Sequence, residues 1–160
     1  MSDNFSGGCQ CGAVRYRFTE RPGGAHVCHC RMCQKAFGGF YAPLVGGPHA
    51  TFEVTRGAIA TFRSSDLTER GFCARCGTPL TFAYINGRGI SVSIGSLDHP
   101  ELFPPLDQHG VESRLPFASS IGALPDRPAT EAEDPDGAAR IRISSRQHPD
   151  HDTAEWPPQS

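Results

Sequence analysis

At 160 residues, with 15 Lys+Arg against 17 Asp+Glu and a formal net charge of −2, the chain suits one domain with a real core and lacks the basic excess of a nucleic-acid binder. No apolar run approaches the roughly 20 residues that cross a bilayer, and Met1 to Gln10 carries no positive start followed by an apolar stretch, so neither a membrane span nor a secretion signal is expected. Glycine (18) and proline (14) are spread too densely for long helices, which points to a mainly β protein built of short strands.

In chain order, Cys9-Gln-Cys11 comes first, set between Gly7-Gly8 and Gly12, whose freedom lets an irregular loop aim both sulfurs at one point. Val14, Tyr16 and Phe18 then alternate with Arg15 and Arg17, the period-two pattern of a strand with one buried face. Cys28-His-Cys30-Arg-Met-Cys33 leads into the best helix candidate, Cys30 to Phe37, which Gly38-Gly39 stops. Phe52/Val54 and Ile59/Phe62 suggest further short strands. Cys73-Ala-Arg-Cys76 follows, with Gly71-Phe72 and Gly77-Thr78-Pro79 read as flanking turns. Leu80 to Ile85 and the alternating run Ile90, Val92, Ile94 form a hairpin about Asn86-Gly87-Arg88-Gly89, since Asn-Gly tolerates the positive φ of a tight turn. From about Asp126 the composition turns polar, dividing the chain into a zinc-binding domain, 1–125, and a flexible, proline-rich tail, 126–160. Within the tail, Ala138 to Ser144 alternates enough for an edge strand, although composition favours solvated chain, and His148 and His151 read as solvent-exposed polar residues.

Seven cysteines in three clusters carry the chemistry. Zinc takes thiolates in tetrahedral sets, closed with four ligands when structural and left with an open position when reactive. The natural partition pairs Cys9 and Cys11 with Cys73 and Cys76 in one closed site and leaves Cys28, Cys30 and Cys33 as a three-thiolate site with a vacancy. A disulfide framework fits an odd count without a secretion signal poorly, and a thioredoxin-like role for Cys73/Cys76 needs a βαβ context that the turns deny. Three thiolates on Zn²⁺ carry a net negative charge, which Arg31, Lys35, Arg15 or Arg70 can offset. The alternative is a second closed site completed by His29, His99 or His109, although His29 lies awkwardly between two ligands. For His109 itself, a packed or hydrogen-bonded core position is expected ahead of a proton-transfer role. Reduced cysteines suit a soluble cytoplasmic protein.

Gly7-Gly-Cys-Gln-Cys-Gly-Ala-Val-Arg-Tyr16, Cys28-His-Cys-Arg-Met-Cys33, Gly71-Phe-Cys-Ala-Arg-Cys-Gly-Thr-Pro-Leu80 and Ser93-Ile-Gly-Ser-Leu-Asp98, in this order, resemble the glutathione-dependent formaldehyde-activating enzyme family, which includes centromere protein V. The resemblance runs from about Phe5 to Leu124, where Phe117 stands in place of the family's Trp. It implies a zinc-stapled, Mss4-like fold of coiled β-sheets with two zinc ions per chain. Cys9, Cys11, Cys73 and Cys76 would hold the structural ion, and Cys28, Cys30 and Cys33 the catalytic or labile one. The implied activity is that of a carbon–sulfur lyase joining glutathione or another small thiol to formaldehyde or a small aldehyde, giving S-(hydroxymethyl)glutathione. Glutathione carboxylates would find basic partners in Arg31 and Lys35, unless these are solvated helix-face charges. A thiol-binding carrier without catalysis and a structural zinc interaction domain are the competing readings.

Overall fold

The protein is described by a computed structural model covering residues 5–156. In chain order the strands are Phe5–Gly8 (β1), Arg15–Phe18 (β2), Gly23–Cys28 (β3), Ala42–Pro48 (β4), Phe52–Arg56 (β5), Ala60–Arg63 (β6), Thr68–Phe72 (β7), Pro79–Tyr84 (β8), Gly89–Ser93 (β9) and Asp107–His109 (β10). Arg31–Phe37 (α1), Thr130–Glu133 (α2) and Pro135–Ser144 (α3) are the α-helices, with short 3-10 turns between elements. A three-stranded sheet runs β1-β2-β5 and a seven-stranded sheet runs β10-β3-β4-β9-β8-β7-β6. All pairings are antiparallel except β10 with β3. The expected mainly β fold is thus what the chain forms.

The core lies where the sheets face one another. Tyr16 and Phe18 of β2 are buried and pack on Phe52 of β5 at ring-centroid distances of 5.4 and 5.3 Å. Val45, Leu80 and Val92 fill the larger sheet's side. Each such side chain contributes about 1.5–3 kcal/mol by leaving water. A hairpin joins β8 to β9 where the sequence places it, but not for the expected reason: neither Asn86 nor Gly87 takes a positive φ, and the turn is closed instead by the Gly87 N–H donating to the Tyr84 carbonyl at 2.9 Å. Gly71 and Phe72, by contrast, belong to β7 rather than a turn. Gly71 is needed there for space, because a Cβ would fall 2.1 Å from the Thr81 hydroxyl.

Arg15 departs from the alternation that puts it in solvent. It is buried, and its Nη1 and Nη2 donate to Asp98 at 2.8 and 2.5 Å. Asp98 also accepts from the Ser6 hydroxyl at 2.5 Å, and its N–H donates to the Ser6 carbonyl. The carboxylate therefore joins β1 and β2 to the turn that follows β9. Burial alone would raise the Asp98 pKa, but the Arg15 and Ser6 hydrogen bonds outweigh it and hold the carboxyl below its usual range.

The segment after Asp126 differs most from expectation. Ala138 to Ser144, read as edge strand or solvated chain, lies in α3, where Asp134 accepts from the Gly137 N–H at 2.9 Å as N-cap and Pro135 takes the first turn. Ile141 and Ile143 alternate but face solvent. His148 is buried rather than solvated, its N–H donating to the Gln10 carbonyl at 2.7 Å, and Asp152 accepts from Arg15 Nε at 2.8 Å. None of the helices among the described residues is long and apolar enough to cross a membrane.

Asp98→Asn should destabilise the protein by up to about 3–5 kcal/mol, because the buried Arg15 guanidinium then keeps only half-exposed Asp152 as a charged partner. In urea titrations the gap to wild type is expected in full above the ordinary carboxyl value of 3.8, shrinking as pH falls through the lower folded value. A gap under about 1 kcal/mol at neutral pH would show that the pair does no more than a surface ion pair.

Candidate metal centres

Two tight turns of similar construction bring four sulfurs together. In one, the Cys9 N–H donates to the Val14 carbonyl and the Gly12 N–H to the Cys9 carbonyl, both at 3.0 Å. In the other, the Cys73 N–H donates to the Thr78 carbonyl at 3.0 Å and the Gly77 N–H to the Cys73 carbonyl at 2.8 Å. Gly12 and Gly77 supply the left-handed residue of each turn, at φ of 76° and 79°. The sulfurs of Cys9, Cys11, Cys73 and Cys76 all lie within 4.8 Å of one another, with Cys9 to Cys11 at 3.6 Å and Cys11 to Cys73 at 4.0 Å. The Val14 N–H donates to Cys9 Sγ at 3.3 Å, and the Thr78 hydroxyl lies 3.1 Å from Cys76 Sγ. Burial pushes the Cys9 thiol up to about 12, whereas for Cys76 the Thr78 hydrogen bonds overcome burial and bring it down to about 6. The set thus pairs a thiol that burial holds protonated with one that ionises more readily, and a bound cation would displace the protons of both to solvent. Such a donor set fits a closed tetrahedral metal.

The residues after α3 pack on this centre. Trp156 Nε1 donates to the Cys11 carbonyl at 2.6 Å, and the Arg75 guanidinium lies 4.7 Å from the indole centroid. Arg56 donates from Nη1 to the Gly12 carbonyl and from Nη2 to the Thr153 carbonyl, joining the loop between β1 and β2 to the segment after α3. Sequence reasoning did not anticipate these contacts, since no local pattern links Trp156 to a cysteine so far away in the chain.

Cys28, Cys30 and Cys33 form the second group, their sulfurs again within 4.8 Å of one another. Cys28 ends β3, Cys30 is the N-cap of α1, and Cys33 lies in the first turn, where its N–H donates to Cys30 Sγ at 3.4 Å. Gly38, at φ of 61°, caps the helix as expected. No histidine joins the three sulfurs among the described residues. His29 is buried facing elsewhere, with Nε2 against Gln108 Oε1 at 2.9 Å and Nδ1 without a partner among the described residues. His99 meets Glu101 on the surface, and His109, expected in the core, is exposed beside Asp107. The group can hold a metal through three thiolates, leaving a fourth position to another ligand.

Arg70 is the cation that reaches these sulfurs. It is buried, stacks 5.0 Å from the Phe82 centroid, and donates from Nη2 to Cys33 Sγ at 3.4 Å; its Nη1 has no partner among the described residues. Burial pushes Cys33 up to about 12 against that hydrogen bond, while at Cys30 the Cys33 N–H, the neighbouring thiols and Arg70 overcome burial and lower the pKa. A groove of about 520 Å³ lies alongside, lined by Arg31, Met32, Lys35, Phe62 and Arg70 among others. Arg31 and Lys35, from α1, thus line the same groove as Arg70 of β7, with Arg31 bonded to Gln34. The sequence offered Arg70 only as one of several possible counter-charges.

Residues 4–111 match the family described as glutathione-dependent formaldehyde-activating enzyme. Among curated proteins, the chain is 29% identical over 91 residues to an uncharacterized lyase of Schizosaccharomyces pombe, covering 52% of this chain and 61% of that protein. It is 33% identical over 84 residues to a Halomonas elongata protein named as a glutathione-dependent formaldehyde-activating enzyme, covering 48% and 54%. The chain therefore spans somewhat more than half the length of these relatives. A crystal structure of a Rhodobacter sphaeroides protein superposes with a TM-score of 0.53 at 20% identity, over 64% of this chain and 98% of that one.

Cys73→Ser should cost several kcal/mol and lower the metal content, because it opens the site that staples the start of the chain to β8. Cys30→Ser should leave a folded protein that has lost only the metal of the three-sulfur group. Circular dichroism and metal analysis on both variants check this, and equal unfolding would contradict the division.

Proposed function

The chain belongs to the glutathione-dependent formaldehyde-activating enzyme family, and on that premise we propose that it joins glutathione to formaldehyde or a related small aldehyde, forming S-(hydroxymethyl)glutathione. In this reading Cys9, Cys11, Cys73 and Cys76 hold a structural zinc and Cys28, Cys30 and Cys33 a catalytic one. The observation that carries it is a three-sulfur cluster, without a fourth protein ligand among the described residues, beside a groove lined by three basic side chains. The reaction is an addition: a carbon–sulfur bond forms, the carbonyl π bond breaks, and the thiol proton ends on the new hydroxyl.

Cys28, Cys30 and Cys33 would hold the zinc, which when bound would supply a Lewis-acidic position that favours thiolate over thiol. Arg70 offsets the negative charge of three thiolates through its bond to Cys33. Its unpaired Nη1 donates to the anion that develops during addition, and burial strengthens that donation. Arg31 and Lys35 take glutathione carboxylates, Arg31 by a two-point contact and Lys35 as a point charge. The exposed Met32 and Phe62 provide apolar contact for the tripeptide backbone. The two reactants then meet as if in one molecule, an arrangement worth up to about 7–11 kcal/mol in model reactions, of which an intrinsically easy addition needs only part. The zinc-binding unit is assigned to residues 1–125, onto which the segment after α3 packs back through His148, Asp152 and Trp156, and seven free cysteines support a cytoplasmic setting.

The zinc-loaded protein should accelerate adduct formation from glutathione and formaldehyde at catalytic concentration, followed by magnetisation-exchange NMR. Arg70→Gln is expected to lower kcat/KM by about 10²-fold with zinc content retained, and Arg70→Lys to recover part of it. Glutathione binding without acceleration would identify a carrier and contradict the enzyme reading.

A further inference from the structure

We propose that His26, Asp107 and His109 form a divalent transition-metal site on the edge of the seven-stranded sheet, with a ligand set distinct from both cysteine groups although His109 stands opposite Cys28 in the ladder. Their ligand atoms lie within 4.8 Å of one another. The parallel pairing of β10 with β3 produces the grouping: Asp107 stands opposite His26 in the ladder, and His109, two residues on, shares its face. The two imidazole centroids are 4.5 Å apart, and Asp107 Oδ1 lies 3.2 Å from His109 Nε2.

A simple ion pair accounts for Asp107 with His109 but leaves His26 unexplained. Two imidazolium rings at this separation repel each other, whereas a divalent ion accepts a lone pair from each and a carboxylate oxygen besides. The Nδ1 of His26 lies 2.8 Å from the Gly24 carbonyl, which fixes Nδ1 as a donor and leaves Nε2 as the nitrogen that can ligate. Two imidazoles and one carboxylate, half open to solvent, suit Zn²⁺, Ni²⁺ or Cu²⁺ with water filling the remaining positions.

The site also has a mechanical consequence. All three residues of β10 are exposed, so little apolar burial fixes the strand. Yet the His109 carbonyl accepts the His29 N–H at 2.8 Å, and Gly110 packs so closely on Cys30 that a Cβ there would lie 2.8 Å from its backbone nitrogen. A metal bridging His26 to Asp107 and His109 clamps β10 to β3, and with it the loop that carries Cys28 and Cys30.

The test is calorimetric titration of the zinc-loaded protein with Ni²⁺ alone, paired with imidazole NMR. One Ni²⁺ per chain should bind with micromolar affinity, broaden the His26 and His109 ring signals, and displace no zinc. His26→Ala and His109→Ala, both at accessible positions, should each weaken binding roughly tenfold or more with zinc content unchanged. Absence of saturable binding, release of zinc on binding, or equal affinity in both variants with broadening at His148 or His151 instead would overturn the proposal. Adduct-forming activity is not part of the readout, so the fate of this site and that of the enzymatic reading are separable.

Discussion

Sulfur buried close to sulfur is the constraint on which this molecule depends. Four thiols within 4.8 Å, one of them pushed up to about 12 by burial, are a poor way to pack a core unless a cation takes their protons' place. With a cation bound, the same four atoms fasten the loop after β1 to the turn before β8, across most of the first half of the chain. The short strands need that fastening. β1, β2 and β6 have four residues each, and the larger sheet reaches full burial at few positions. Arg15 and Asp98 add a second tie, from β1 and β2 to the turn after β9, and the residues after α3 close over the first by way of Trp156 and over the second by way of Asp152.

The second cysteine group is built on different terms. It stands at a strand-to-helix junction, where the N-cap residue of α1 is itself one of the three cysteines and the Cys33 N–H donates to its sulfur. Its counter-charge is a buried arginine held by an aromatic ring, with one N–H still to be satisfied. A closed structural site needs none of this. The unequal treatment of the two groups supports the reading that one serves the fold and the other a substrate.

What was legible in the sequence follows from how local each signal is. Cysteine spacing, the alternation of Tyr16 and Phe18, the Asn86-Gly87 turn and the stop at Gly38 are short-range, and each appears where the pattern points. β3 and β4 carry no such sign, because Gly23, Gly24, Gly46 and Gly47 interrupt any apolar alternation there. In the fold, Gly46 is a packing requirement, since a Cβ there would meet the Ser91 hydroxyl at 2.8 Å. β10, with three polar exposed residues, carries no apolar periodicity at all. The helix α3 did carry a signal, Asp134-Pro135 at its start, but the Ile141/Ile143 alternation pointed the other way. Arg70 beside Cys33 and Trp156 on Cys11 depend on tertiary contacts alone, and no window of sequence contains them.

The uneven division of sulfur is tested most directly by zinc K-edge absorption on the zinc-loaded protein, with and without glutathione. The account predicts two zinc ions in the cysteine centres, one with four sulfurs and one with three plus a lighter ligand, and a gain of sulfur at the second when glutathione is added. A sulfur shell already complete without glutathione, or unchanged by it at saturation, would contradict it.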